Sequence, residues 1–213
     1  EQAAWKQHGV AIERHLAVFR IAVSELAGQA AQRLGIPVDL VIHNGVDLCR
    51  FHPPATRVDR QPMKVLLSCG LDAQKGQSIG VEAMKHVKAE FGDVVHICLI
   101  GQVLPEYAST LDANHGYLHG EAYVHAIQES DIVVYPSLFD GFPAPPLEAM
   151  ACGCAVGTTA VEGVMEYAVD GENCLLCEPD SAVALKEAVV RLIHDPALRA
   201  RLQRHGPATA AMY

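Results

Sequence analysis

Apolar residues in this chain fall into short, β-branched runs that alternate with stretches of helical period. Residues 19–24 read as a strand, residues 25–34 as a helix stopped by Gly35-Ile36-Pro37, and residues 39–43 as a second strand. A loop carrying Pro53, Pro54 and Pro62 interrupts the rhythm. A longer series then begins: strand 63–69, helix 76–90, strand 94–101, helix 121–130, strand 132–135 and helix 146–152. It continues with strand 155–158, a short strand over 174–177, and helices 181–194 and 196–204; residues 116–119 also read as strand-like. This alternation predicts βαβ units and an α/β fold with a parallel, doubly wound sheet. In such sheets ligands sit beyond the carboxyl ends of the strands, at the loops that lead into helices.

The expected domain boundary lies within residues 44–62, where regular pattern gives way to Pro and Gly. The stretch before it is too short for a core of its own.

Composition narrows the class. Half of the 213 residues are hydrophobic and 19% are charged, which describes a globular chain rather than a disordered one. No apolar run approaches the roughly 18–20 residues that span a bilayer. The start, Glu1-Gln2-Ala3-Ala4-Trp5-Lys6, has neither an initiator Met nor the basic-then-apolar layout of a secretory leader, so the natural protein is expected to begin upstream. A net charge of −9 argues against a nucleic-acid partner, which needs a basic face. It leaves room for a small phosphorylated ligand, which needs only local cations and backbone N–H groups.

Of the seven cysteines, Cys69 and Cys98 sit inside apolar runs, as buried reduced thiols do, and the usage points to the cytoplasm. Cys152-x-Cys154 and Cys174-x-x-Cys177 have spacings a metal could use. Structural zinc sites, however, place such pairs in turns and need four ligands. Here one pair falls at a helix end and the other in a strand, so reduced core thiols and no metal are expected.

The segment richest in chemistry runs from Ser130-Asp131-Ile132-Val133-Val134-Tyr135-Pro136-Ser137 through Asp140-Gly141-Phe142-Pro143-Ala144-Pro145-Pro146-Leu147-Glu148 to Ala149-Met150-Ala151-Cys152-Gly153. It reads as a buried strand, a rigid Gly/Pro loop and a helix opened by Pro146, with Glu148 in the first turn. The helix start favours an anion. Asp140 and Glu148 could face one pocket, where carboxylates would accept from sugar or ribose hydroxyls. Taken singly, Asp140 reads better as a turn residue and Glu148 as a partner for the helix dipole.

Together these residues resemble the signature of family 4 of the GT-B glycosyltransferases. There an acidic residue is followed, at the spacing of Asp140 and Glu148, by Glu and then by Ala-Met-Ala-x-Gly. The family more often has Glu at the first position. The resemblance extends to Val41-Ile42-His43-Asn44-Gly45-Val46-Asp47 with Phe51-His52-Pro53, to Leu71-Asp72-Ala73-Gln74-Lys75-Gly76, and to Val164-Met165-Glu166-Tyr167 with Asp170-Gly171-Glu172-Asn173. It implies two Rossmann-like domains: residues 1–43 as the tail of an acceptor-binding N-terminal domain, and residues 44–213 as the nucleotide-sugar (donor) domain. On that division the chain is expected to be part of a larger enzyme and inactive alone.

The implied activity is retaining transfer of a sugar from a nucleotide-diphosphate donor to an acceptor glycan, lipid or small molecule, with no metal or organic cofactor. No Asp-x-Asp cation motif appears in the sequence. Peripheral membrane association of the full-length protein is compatible with this. By the resemblance, Lys75 and Asp140 are the catalytic candidates, meeting the diphosphate and the donor-sugar hydroxyls respectively. Glu148 would hold the ribose, and Gly141, Phe142 and Ala144 would cradle sugar and phosphate through the backbone. Gly120 and Glu121 would lie near the base. The family pairs its Lys with an Arg in Gly-Arg-Leu; here Cys69-Gly70-Leu71 leaves Gly70 at that donor-site position. Two rivals remain open: a module that binds nucleotide sugar without turnover, and a different GT-B enzyme such as a sugar-nucleotide epimerase.

Overall fold

The computed structural model describes residues 19–57, 61–107 and 110–213. The chain divides into two compact units, one ending at Asn44 and the other running from Gly45 to Tyr213. Residues 1–18, which the sequence reading places in the N-terminal domain tail, lie outside the described residues.

The first unit is one βαβ turn. Strand β1 (Ile21–Ala22) pairs in parallel with β2 (Leu40–Val41) across helix α1 (Glu25–Arg33). Ser24 caps the helix, its hydroxyl accepting from the Ala27 N–H at 3.0 Å. Both strands are shorter than the apolar runs predict, because only two residues of each find a ladder partner.

The second unit is a six-stranded, wholly parallel sheet. Its strands are β3 (Met63–Ser68), β4 (Val95–Ile100), β5 (Ala113–Asn114), β6 (Ile132–Tyr135), β7 (Ala155–Thr159) and β8 (Leu175–Cys177). Their order in space is β5-β4-β3-β6-β7-β8. Helices α2 (Gln77–Phe91), α3 (Gly120–Gln128), α4 (Ala144–Ala151), α5 (Ala182–His194) and α6 (Pro196–Ala210) complete the unit. The central strands are apolar on both faces, as a sheet covered on two sides requires. Val65 and Leu67 of β3 join Val81 and Met84 of α2 and Leu185 and Val189 of α5 in one core. Leu66, on the opposite face, joins Ile127 of α3 and Leu147 and Met150 of α4 in the other.

Several boundaries differ from the sequence expectation. Residues 116–119 are not a strand; the edge strand is Ala113–Asn114, which pairs with Cys98 and Leu99 of β4. So short an edge element leaves no periodic signal. Helix α6 continues to Ala210 through Pro207. Its packing explains this: Gly206 passes so close to α4 that a Cβ there would lie 3.0 Å from the Met150 carbonyl oxygen, and Leu202, Thr209 and Ala210 are buried. Tertiary burial outweighs the one helical hydrogen bond that Pro207 forfeits. Helix α4 begins at Ala144, not at Pro146, so Glu148 lies beyond its first turn.

The segment ahead of β3 is tied to this unit by Arg57. Its guanidinium donates to the carbonyls of Ser130 at 2.7 Å and Cys152 at 2.9 Å. Six of the seven cysteines are buried and all are free thiols; Cys49 is exposed.

Candidate active site

Strand order reverses between β3 and β6, and the chain leaves these two neighbours in opposite directions around the sheet. In open α/β sheets the loops after such a pair of carboxyl ends part into a crevice, the place where ligands bind. Residues 69–76 form one wall and residues 136–143 the other. Each is pinned. Asp72 caps a single 3₁₀ turn, Ala73–Lys75, by accepting from the Gln74 N–H at 3.0 Å. Gly76 then turns into α2 with φ +61°, and a Cβ there would fall 1.9 Å from the Pro136 carbonyl oxygen, so only glycine fits where the walls meet. Across the crevice, the Leu138 N–H donates to the Gln74 carbonyl at 2.7 Å.

This framing brings Lys75 and Asp140 together. Lys75 Nζ lies 2.6 Å from Asp140 Oδ2, and the Tyr135 hydroxyl donates to the same oxygen at 2.7 Å. The other oxygen, Oδ1, carries no hydrogen bond among the described residues. Sequence reasoning missed Tyr135. As the last residue of a buried strand it looks like core, and its position beside the loop is visible only once the loop folds back. Burial and the adjacent Asp140 carboxylate push the Tyr135 phenol well above its ordinary range, so it remains a donor.

Glu148 projects from α4 and has a second unforeseen partner. The Tyr123 hydroxyl, from α3, donates to Glu148 Oε2 at 2.7 Å. Burial pushes the Glu148 carboxyl above the usual carboxylate range, opposed by the Tyr123 hydrogen bond and the Arg50 charge. The phenol of Tyr167 is raised by burial and by several neighbours, among them Tyr135, Asp140 and Glu148, so both carboxylates act on one region.

The remaining candidates divide. Gly70 lies beside Lys75, where a Cβ would meet only Lys75 Cγ, at 3.7 Å. Gly141 is half-buried in the loop, and its Cβ position is open space. Its backbone is backed by Gly163, whose N–H donates to the Asp140 carbonyl at 3.2 Å. The Phe142 side chain is core, packed against Tyr167 and Tyr213 with ring centroids 5.3 and 5.4 Å away. Ala144 is the first residue of α4 and half-buried. Gly120 and Glu121 open α3 and are exposed; the Glu121 carboxylate pairs with Arg50 at 4.0 Å, not with a group of the crevice.

One expectation needs correction. The start of α4 is a poor anion cradle through its backbone, because Pro143, Pro145 and Pro146 have no N–H to offer. Among the described residues of the two walls, 69–76 and 136–143, the cation is Lys75.

The same architecture recurs in solved structures. The C-terminal domain of a group 1 glycosyl transferase, LpcC, from Francisella tularensis is 25% identical with a TM-score of 0.70, over 79% of this chain and 97% of that one. HepE from Anabaena, in complex with UDP-glucose, shares the fold at a TM-score of 0.81 and 21% identity, over 97% of this chain and 62% of that one. The fold is that of a GT-B glycosyltransferase. The chain belongs to the glycosyl transferases group 1 family, whose pattern matches residues 51–209. It is 29% identical over 214 residues to the N,N'-diacetylbacillosaminyl-diphospho-undecaprenol alpha-1,3-N-acetylgalactosaminyltransferase of Campylobacter jejuni, covering 91% of this chain and 56% of that protein. It is 30% identical over 197 residues to the phosphatidyl-myo-inositol mannosyltransferase of Mycolicibacterium smegmatis, covering 86% of this chain and 50% of that protein. The chain thus spans about half the length of these curated relatives. Among the described residues, no helix is long and apolar enough to cross a membrane.

Proposed function

We propose that this chain supplies the donor side of a retaining glycosyltransferase of the family 4 type, which moves a sugar from a nucleotide-diphosphate donor to an acceptor hydroxyl. Residues 44–213 are the donor domain and residues 1–43 the tail of the acceptor domain. The observation that carries this reading is the crevice between β3 and β6, where Lys75 and Asp140 meet at 2.6 Å. HepE holds UDP-glucose on the same fold, which supports a nucleotide sugar as the ligand.

In this scheme Glu148 accepts from the ribose hydroxyls. Lys75 exchanges its partner, leaving Asp140 for the diphosphate, while Asp140 turns to hydroxyls of the donor sugar. As the bond from the anomeric carbon to the diphosphate oxygen breaks, its electron pair leaves with the diphosphate, and Lys75 is placed to stabilise that charge. A fixed donor aimed at developing charge is commonly worth about 3–4 kcal/mol of barrier. The acceptor hydroxyl, on a glycan, lipid or small molecule, adds to the face the diphosphate leaves as its proton passes to the departing diphosphate oxygen, which retains the configuration. The neutralising charge is drawn from Lys75 and not from a metal ion. The free, mostly buried thiols support a cytoplasmic setting for this work.

Gly70 favours one alternative, a module that binds the donor without turning it over, because the cation beside Lys75 is replaced by a residue with no side chain. Thermal shift with UDP-, GDP- and ADP-sugars tests binding. A ligand at a hundred times its Kd adds about 2.7 kcal/mol to stability, so one nucleotide class is expected to raise the Tm by several degrees. No shift with any of them would refute the donor reading. Turnover of the binding sugar nucleotide by the full-length protein separates the enzyme from the module.

A further inference from the structure

Tyr123 is joined to nothing in the sequence pattern that points to the site, yet it makes the hydrogen bond that the Glu148 carboxylate receives from α3. We propose that Tyr123 is the positioning residue of the nucleotide site, holding one oxygen of Glu148 so that the other is presented to a ribose hydroxyl. This rests on the reading of Glu148 as the ribose acceptor.

The geometry is specific. The Tyr123 hydroxyl meets Oε2 at 2.7 Å, and Oε1 carries no hydrogen bond among the described residues. The Tyr123 ring is itself held. Phe51, which is buried, meets it edge-on with ring centroids 6.0 Å apart and planes at 78°. The Arg50 guanidinium lies over Phe51, 5.9 Å from its centroid, and pairs with Glu121 at the start of α3. A carboxylate on a free glutamate stem loses rotamer freedom each time it engages a ligand, and a partner that fixes it beforehand removes that cost. An ionised carboxylate only accepts, so the bond also requires a protonated phenol. Burial and the Glu148 charge keep it protonated.

The arrangement predicts a pH signature. The Tyr123 hydroxyl from α3 and Arg50 from the segment ahead of β3 act on Glu148, while Cys152 at the end of α4 and Tyr167 from the loop between β7 and β8 lie within reach of its charge, which raises both. Burial raises the Glu148 carboxyl, while the Tyr123 bond and Arg50 lower it. Removing the Tyr123 hydroxyl therefore raises it further. The ribose acceptor is the charged form, so affinity is lost as pH falls through this value, and the loss would set in at higher pH.

The test is calorimetry of UDP, GDP and ADP on the chain and its variants, continued with whichever diphosphate binds. Tyr123→Phe keeps the ring against Phe51, so its Tm is expected to stay near that of the parent. Its affinity should fall roughly tenfold, the order expected for a lost hydrogen bond to a charged group. The acid limb of binding should move to higher pH. With the 2′,3′-dideoxy analogue, or in a Glu148→Ala background, Tyr123→Phe should change nothing further. An unchanged affinity and acid limb in Tyr123→Phe, beside a clear loss in Glu148→Ala, would overturn the positioning role alone. An equal loss with the dideoxy analogue would show that Tyr123 acts by packing, which also overturns it. Unchanged affinity in Glu148→Ala would remove the ribose reading itself, and the proposal with it.

Discussion

Gly70→Arg would place a second cation beside Lys75, and the structure sets its terms. Gly70 follows β3 at the mouth of the crevice, and its φ lies outside the left-handed region. A Cβ there would meet Lys75 Cγ at 3.7 Å, an ordinary contact. Backbone strain therefore does not demand glycine, and Gly70→Ala should fold and bind as the parent does. An Arg side chain is long enough to reach the neighbourhood of Lys75 Nζ, and its planar fork suits phosphate oxygens where lysine offers a point charge. A new charged hydrogen bond to the diphosphate is worth about 1.5–3 kcal/mol, roughly tenfold to a hundredfold in Kd. Asp140 competes for the new cation before ligand arrives. A partly exposed pair of that kind is worth about 0–1 kcal/mol, which brings the expected gain nearer tenfold. Calorimetry of UDP, GDP and ADP on parent, Gly70→Ala and Gly70→Arg at two salt concentrations provides the measurement, and the gain should shrink as salt rises. Equal weakening by Ala and Arg would refute the reasoning, since it would mean that the position is glycine for the backbone's sake.

Other outcomes follow from single contacts. Asp140→Ala should weaken the sugar-bearing donor more than the bare diphosphate, because Lys75 remains and even loses a competitor; equal effects in calorimetry would contradict the assigned role. Asn173 is buried, and its amide accepts from the Val169 N–H at 2.8 Å and donates to the Tyr167 carbonyl at 2.8 Å and the Thr209 hydroxyl at 3.0 Å. Asn173→Ala removes the partner of the Val169 N–H and the Tyr167 carbonyl, while the Thr209 hydroxyl keeps its bond to the His205 carbonyl, and should cost about 2–4 kcal/mol in urea denaturation. Iodoacetamide on the native protein should label Cys49 alone, since the other six thiols are buried. Burial pushes Cys69 and Cys154 up to about 11 and Cys152, Cys174 and Cys177 up to about 12. Rapid labelling of a second thiol would count against the packing described.

Much of this protein is legible in one dimension. Alternation of β-branched runs with helical period suffices for the class and for the order of the elements from β3 to α6 other than the edge strand β5, because burial on two faces makes each central strand continuously apolar. The Asp140 and Glu148 spacing is likewise local. Other features are decided by neighbours distant in sequence. Lys75 and Asp140 are 65 positions apart and meet because β3 pairs with β6, a choice made by the whole sheet. Tyr123 and Glu148 meet because α3 and α4 pack on the same face of that sheet. Tyr135 has the sequence signature of a core residue and becomes a site residue only where the loop returns over it. The edge strand Ala113–Asn114 and the passage of α6 through Pro207 are settled by pairing and burial, against weak or contrary local preference. Propensity and periodicity act over a few residues, and so the sequence alone determined the longer elements and one loop of the site. Tertiary packing decided which groups hold each carboxylate, because those partners are brought within bonding distance only by contacts between elements.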